Sequence, residues 1–514
     1  VDYSTIADVV ASRAAATPDA ACFIICTPHP RVSISWSELE RRTGQIKSRL
    51  LAGAAAPPDR IGIRVDDPAE FLFAVFGALR AGASISPLPE RWTAASTRKI
   101  VRSGNLKALI ADQNNIELLR NSDLAALPLL PVKALLAPLD EHPNAAPAAQ
   151  SPATAILAQQ PMTILYSSGT TADPKGVIHT HAARCHTART RMHDLELDSD
   201  SRALITAPLY TARALSAIFC TVFAGGTSII SPRFDPRAFR ATVAELKPTS
   251  LSLVPTQFSL LLQDWRMWPQ ALSDCKFVMC TGSLLNRQIA AELFELLPHN
   301  FVEGYGSTET ELVALLPRRA PVSKRCSVGR PIRDVEIRMV SESDGSEVKP
   351  GHCGEIVVRT PSLFAGYTHA EDMENVFWSD PAGGRFYKTG DLGSLDADGY
   401  LWLSGRKKDM IITAGFNIFP SDLEAVLLEH PAVMDAAVVG MQAPTLGETP
   451  VAFVVLRADA QHVDTSQICR WANARLNKNQ RLYRVLDLDE IPRNPAGKTE
   501  KNELRRIASA QATL

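Results

Sequence analysis

The sequence predicts an α/β protein: a large N-terminal domain of α/β layers that includes a β-rich subdomain, then a small C-terminal α+β domain. Three observations carry this reading. Helical periodicity alternates with short apolar strands over residues 5–81 and again over 203–311, the rhythm of sheets covered by helices. Between residues 335 and 403 the apolar runs shorten and glycine becomes frequent, from Gly345, Gly351 and Gly354 to Gly390, Gly393 and Gly399, which signals antiparallel strands and turns. Beyond Gly405 the charged cluster Arg406-Lys407-Lys408-Asp409 opens a compact tail. A chain of 514 residues exceeds one ordinary domain, and the boundary is placed at this cluster.

Taken in order, residues 5–15 read as a helix, 21–25 and 60–64 as strands, and 68–81 as a second helix. The Ala-, Pro- and Gln-rich stretch 136–161 has little periodicity and is expected to be a surface connection. A strand, a glycine-rich turn and a helix are expected directly after it. In the second layer, strands at 203–206, 228–230, 251–254, 277–280 and 301–303 alternate with helices such as 236–246 and 286–296. The tail reads as one strong helix, 421–429, with strands at 436–439 and 451–456. No internal repeat is evident.

Composition narrows the function. The 54 basic and 55 acidic residues leave a net charge of -1, so no global field exists to hold nucleic acid or an anionic membrane. Apolar stretches such as 214–225 and 432–440 are far shorter than the roughly 20 residues that cross a bilayer. The start, Val1-Asp2-Tyr3-Ser4, lacks the pattern of a signal peptide, and a cytoplasmic enzyme is expected. The nine cysteines are scattered without a C-x-x-C pair, which speaks for buried thiols rather than zinc or redox sites.

The sharpest local feature is Thr163-Ile164-Leu165-Tyr166-Ser167-Ser168-Gly169-Thr170-Thr171-Ala172-Asp173-Pro174-Lys175-Gly176-Val177. An apolar strand runs into hydroxyls and glycine and ends in a lysine, which concentrates N–H and side-chain donors around phosphate. ATP is the ligand this implies. The order Lys175-Gly176-Val177 is not the Gly-Lys-Ser/Thr of a Walker A loop, so a P-loop NTPase is disfavoured.

This string resembles the phosphate loop of the adenylate-forming superfamily: acyl-CoA and aryl-CoA synthetases, luciferases and peptide synthetase adenylation domains. The resemblance requires further motifs in a set order, and the chain has them. Glu303-Gly304-Tyr305-Gly306-Ser307-Thr308-Glu309 looks like the second core motif; by resemblance Tyr305 lies against adenine, Thr308 contacts the α-phosphate and Glu309 helps hold Mg²⁺, a cation that prefers hard carboxylate and phosphate oxygens. Tyr387-Lys388-Thr389-Gly390-Asp391 resembles the next, whose aspartate accepts from the ribose hydroxyls. In Arg406-Lys407-Lys408-Asp409, the resemblance implies that Arg406 also reaches the ribose and that Lys408 is the hinge residue. Ile491-Pro492-Arg493-Asn494-Pro495-Ala496-Gly497-Lys498 matches the motif of the catalytic lysine, where Lys498 neutralises charge as a carboxylate attacks the α-phosphate.

The resemblance spans essentially the whole chain and implies an N-terminal adenylation domain at 1–405, a hinge at 406–408 and a mobile C-terminal domain at 409–514 carrying Lys498. Nucleotide-binding residues by this reading are Ser167, Ser168, Gly169, Thr170, Thr171, Lys175, Glu303, Gly304, Tyr305, Gly306, Asp391 and Arg406, with Lys498, Thr308 and Glu309 catalytic. Rotation about the hinge would exchange Lys498 for the segment at Gly415, which lines the thiol tunnel. The implied reaction is acid plus MgATP to acyl-AMP, then transfer to a thiol. The acceptor is CoA, or alternatively the phosphopantetheine of an acyl carrier protein. A luciferase-like oxygenase and a catalytically silent binding protein are the readings from other classes; intact Lys498, Glu309 and Asp391 weigh against the second.

The acid pocket is expected at Tyr210, Thr211, Arg213, Thr281, Gly282 and Ser283. Here the chain departs from its relatives: many acyl-CoA synthetases place histidine after Pro-Leu-Tyr, and this chain has Thr211. Arg213 offers a guanidinium to a second acidic group. The aspartate that holds an α-amino group in amino-acid adenylating domains is not seen, which argues against a plain α-amino acid.

Overall fold

In the computed structural model, the described residues are 3, 5–26, 30–53, 59–89, 92–122, 124, 126–138, 158–167, 175–262, 272–443, 447–460, 462–494 and 497–511. They form four sheets. A nine-stranded sheet has a parallel centre in the order Phe301–Ser307, Phe277–Cys280, Ser250–Leu253, Arg202–Ile205, Thr227–Ile230, Ala21–Ile25. A seven-stranded sheet runs from Gly366–Tyr367 through Lys175–Thr180, Pro161–Ser167 and Ser84–Pro87 to Leu129–Pro131.

Helices fill the space between these two sheets. Pro68–Arg80 and Ala212–Ala224 are apolar on nearly every face, the pattern of a helix enclosed on all sides. One core cluster joins Phe71, Phe76, Leu215 and Phe219 to Ile61 and Ile85 of one sheet and Ile205 and Ile230 of the other. A second cluster covers the far face of the nine-stranded sheet, through Phe239, Phe258, Leu293 and Phe301.

A third, antiparallel sheet contains Glu336–Val340, Gly354–Arg359, Arg385–Leu395 and Leu401–Arg406, as the glycine-dense stretch predicts. A fourth is built from Ile411–Thr413, Phe416–Ile418, Val433–Ala443, Gly447–Leu456 and Arg484–Asp487, with its own apolar clusters.

The structure departs from the sequence reading in two places. The strand Pro161–Ser167 is followed not by a helix but by an antiparallel partner, Lys175–Thr180, and only then by helix His181–Asp194. Val177, Ile178 and Thr180 are β-branched and pair with Leu165, Ile164 and Pro161. The tail has helices Thr465–Asn473 and Lys501–Gln511 beside Pro420–Leu428. Each of the two missed helices buries only two side chains, Ile468 and Ala472 in one and Leu504 and Ala508 in the other, within largely polar segments, so no continuous apolar run marks them. Much of the expected connection at 136–161 lies outside the described residues. Six cysteines are buried, while Cys326 and Cys353 are exposed. Among the described residues no helix is long and apolar enough to cross a membrane.

Candidate active site

Strand Phe301–Ser307 turns back into Glu311–Leu315 through residues 308–310. Glycine is needed at 306, because a Cβ there would stand 1.9 Å from the Glu311 carbonyl oxygen. Gly304 is confined too, by Leu312 and Met279. The turn is closed by its own hydroxyls: Thr310 Oγ1 accepts the Ser307 N–H at 3.1 Å, and Ser307 Oγ accepts the Thr310 N–H at 3.3 Å. Thr308 and Glu309 thus sit at the tip of a fixed hairpin.

Behind the tip, the Tyr305 hydroxyl donates to Asp391 Oδ2 at 2.7 Å. Burial and the Asp391 carboxylate push the phenol upward in pKa, so it remains a donor. Asp391 and Arg406 face each other on neighbouring strands, with Arg406 Nε 3.1 Å from Asp391 Oδ1. Glu309 Oε1 accepts from the Tyr367 hydroxyl at 3.1 Å, and that hydroxyl meets the Tyr387 hydroxyl at 3.1 Å. Lys175 lies 2.7 Å from Asp372 and 5.4 Å from the centre of the Tyr367 ring.

Lys498 reaches this cluster from the C-terminal part. Its loop is a self-bonded turn: Asn494 Oδ1 accepts the Lys498 N–H at 3.0 Å and the Lys498 carbonyl accepts the Asn494 N–H at 2.9 Å. Gly497, at φ +84°, sits against Val254 and Thr256 of the N-terminal part, where an added Cβ would be 3.3 Å from Val254 Cγ2. The Lys498 ammonium interacts with Arg406, Asp391, Glu309 and Lys408, and burial first, then Arg406, lower its pKa. Lys408 is likewise lowered, by burial and then by Arg406.

Lys498, Glu309, Tyr305, Asp391, Arg406 and Lys408 are therefore brought together, with Thr308 beside Glu309. Ser168, Gly169, Thr170 and Thr171 lie outside the described residues; Ser167 ends its strand opposite Lys175. Glu303 points elsewhere: it is buried, takes the backbone N–H of Leu285, and burial raises its pKa to about 8. Gly415 stands in an open turn at φ +83°, with no atom within 4 Å of where a Cβ would be. Its neighbours Ile412 and Phe416 are about half exposed.

A narrow cavity lies between helix Ala212–Ala224 and the nine-stranded sheet. Arg213 lines it, but Tyr210, Thr211, Thr281, Gly282 and Ser283 do not. Thr211 instead caps the helix: its hydroxyl accepts the Ala214 N–H at 3.3 Å and donates to the Pro208 carbonyl at 2.7 Å. Between cavity and hairpin stands a buried ion lattice that sequence reading missed. The Glu311 carboxylate pairs with Arg184, with Arg191 at 2.6 Å and with the Ser216 hydroxyl at 2.6 Å. Although burial raises its pKa, the two guanidiniums hold it down at about 2.

A hairpin carrying Thr308 and Glu309, met by a lysine turn from the C-terminal part, defines a nucleotide-dependent acyl-activating enzyme. The "AMP-binding enzyme" model matches residues 10–368, and the "AMP-binding enzyme C-terminal domain" model matches 422–498. The chain belongs to the AMP-binding enzyme family. Feruloyl-CoA synthase of an Amycolatopsis species is 30% identical over 93% of this chain and 94% of that protein. The 2-succinylbenzoate–CoA ligase of Bacillus licheniformis is 29% identical over 96% and 98%. ATP-bound MatB of Rhodopseudomonas palustris is 26% identical over 98% of each chain with a TM-score of 0.84; its apo structure gives 0.73.

Proposed function

We propose that this enzyme activates a small carboxylic acid with ATP and passes the acyl group to CoA. The seating of Lys498 over Asp391 and Glu309 carries the reading. The acid's carboxylate oxygen attacks the α-phosphorus, the bond to the β-phosphate breaks, and acyl-AMP and pyrophosphate form. Lys498 offsets the negative charge gathered in that step. Asp391, held by Tyr305 and Arg406, presents its carboxylate to the ribose diol, and Lys175 with the 168–171 segment meets the phosphates.

The donor set at the tip fits Mg²⁺. Among the described residues no group of three or more His, Cys, Asp or Glu is placed to hold a metal, and Glu309 supplies a single hard carboxylate, as suits a cation that shares its shell with phosphate and water. Mg²⁺ bound there would neutralise phosphate charge. In the second step the CoA sulfur attacks the acyl carbon, AMP leaves, and the thiol proton passes to solvent. That step requires the Gly415 turn, now open to solvent, to replace Lys498 by rotation about 406–408.

The test is acid-dependent pyrophosphate release over a panel of aryl, fatty and dicarboxylic acids, with and without CoA, following AMP and thioester. Equimolar AMP, pyrophosphate and CoA thioester is the expected result. No acid-dependent pyrophosphate with any class refutes the reading.

A further inference from the structure

Tyr367 lies outside the motif strings of the chain, yet the short segment around it holds two elements on the phosphate side of the site. Strand Gly366–Tyr367 pairs with Lys175–Thr180, Gly366 opposite Ile178 and Tyr367 opposite Val177, and the Thr368 N–H donates to the Gly176 carbonyl at 2.9 Å. On the other side, the Phe364 N–H donates to the Glu309 carbonyl at 2.8 Å. The Tyr367 hydroxyl then reaches the carboxylate of that same residue, Oε1 of Glu309, at 3.1 Å. Glu309 is thus held at its main chain and at its side chain by one segment.

Proton counting gives the direction of each bond. A carboxylate only accepts, so the single Tyr367 proton goes to Glu309. The 3.1 Å contact between the two phenols therefore runs from the Tyr387 hydroxyl to the Tyr367 oxygen. Each donor in such a chain polarises the next. Burial, then the Glu309 carboxylate, raises the pKa of both phenols, so both keep their protons. The Tyr367 ring is fixed in turn: it packs on Phe364 with centroids 4.8 Å apart, Phe364 packs on Tyr387 at 5.1 Å, and the Lys175 ammonium stands 5.4 Å from the Tyr367 ring centre.

This leaves the two oxygens of Glu309 unequal. Oε1 is occupied, while Oε2 takes no hydrogen bond from a described residue. A carboxylate that shares Mg²⁺ with phosphate and water has to be aimed, because that ion demands near-octahedral geometry. Building on the acid-activating reading, we propose that Tyr367 is a positioning residue for Glu309: its hydroxyl fixes Oε1 so that Oε2 is the oxygen offered to Mg²⁺ when ATP binds. Partners that orient a metal ligand in this way contribute about 10- to 100-fold in metal affinity.

The experiment is a Mn²⁺ titration of full-length enzyme, held in excess over α,β-methylene-ATP, with free Mn²⁺ read by electron paramagnetic resonance. Tyr367→Phe deletes the hydroxyl and keeps the ring that faces Phe364 and Lys175. It should weaken Mn²⁺ in the ternary complex by about 10-fold with an unchanged thermal midpoint. The Mg²⁺ needed for half-maximal ATP–pyrophosphate exchange should rise by about the same factor, while a preformed adenylate is converted to thioester at the wild-type rate. Tyr387→Phe removes only the donor behind Tyr367 and should give a smaller loss in the same direction. Equal Mn²⁺ affinity in wild type and Tyr367→Phe overturns the proposal, as does a Tyr387→Phe loss larger than that of Tyr367→Phe. A matching fall in adenylate conversion would mark a general structural role and overturn it too. Absence of acid-dependent exchange in wild type sinks the acid-activating reading itself, whereas normal wild-type exchange with unaltered Mn²⁺ binding in Tyr367→Phe sinks only the assignment to Tyr367.

Discussion

Replacing Glu311 with glutamine would leave Arg184 and Arg191 facing a neutral amide inside the protein. In the native arrangement the carboxyl has fallen from 4.5 to about 2, and a shift of that size corresponds to about 3 kcal/mol at neutral pH. Removing one member of a buried ion pair costs roughly 3–5 kcal/mol, a range the first figure meets at its lower edge. The sign follows from the direction. A folded-state pKa below the unfolded one contributes stability that is fully present above about pH 4.5 and is lost as the pH falls toward about 2. Urea unfolding of wild type and Glu311→Gln followed by circular dichroism should therefore show a gap of about 3 kcal/mol at pH 7 that narrows below pH 4.5. Glu311→Asp keeps the charge and should recover part of it. Because Glu311 pairs with Ser307 across the hairpin, the glutamine variant should also raise KM for ATP. A gap below about 1 kcal/mol at pH 7, or one that does not change with pH, refutes the account.

Other outcomes are as specific. Lys498→Ala should slow acyl-AMP formation by about 100- to 1,000-fold while a preformed adenylate is still converted to thioester; equal losses in both half-reactions would remove the lysine from the first step alone. Since burial lowers the Lys498 pKa, rising pH should deprotonate it, and the rate of adenylation should fall on the alkaline side before a free lysine titrates near 10.5; no such limb in the pH profile contradicts the charge role. Thr211→Ala removes a helix cap and should cost about 1 kcal/mol in unfolding free energy, whereas an unchanged midpoint would show that the hydroxyl does not cap. Glu303 binds its proton more tightly folded than unfolded, with its pKa raised to about 8, so its contribution to stability is lost as pH climbs toward and past 8. Glu303→Gln should accordingly gain on wild type most at pH 9, and a constant offset from pH 5 to 9 would count against it.

Much of the architecture was legible because its signals are local. The run at residues 277–280 is strand Phe277–Cys280, 236–246 is helix Pro236–Leu246, and Asn286 caps rather than begins its helix. The tail helices escaped because their few apolar positions sit in largely polar segments, so no continuous apolar run marks them. The site divides in the same way. Tyr305, Glu309 and Asp391 belong to contiguous strings whose composition is unusual, and the structure gathers them. Tyr367 and Asp372, which steady Glu309 and Lys175, belong to no such string. Neither do Arg184, Arg191 and Glu311: they meet only because helix His181–Asp194 packs beside the hairpin, a juxtaposition the one-dimensional pattern does not encode. Thr211 shows the opposite limit. Its position suggested substrate contact, and capping is where its hydroxyl is spent.

Contacts between the C-terminal part and the larger part include Gly497 on Val254 and Thr256, the Ser421 hydroxyl on the Ser404 carbonyl at 2.9 Å, and Asp422 facing Arg287. None of these groups touches the reacting atoms. If the C-terminal part rotates about 406–408 as proposed, these groups would act as a latch whose strength sets the fraction of time the tethered lysine spends docked, and so the division of each turnover between making the adenylate and consuming it. A tighter latch would favour accumulation of bound acyl-AMP; a looser one would favour release of thioester at the expense of the first step. The balance between the half-reactions can thus drift through surface substitutions far from the substrate, with the chemistry of either step left intact.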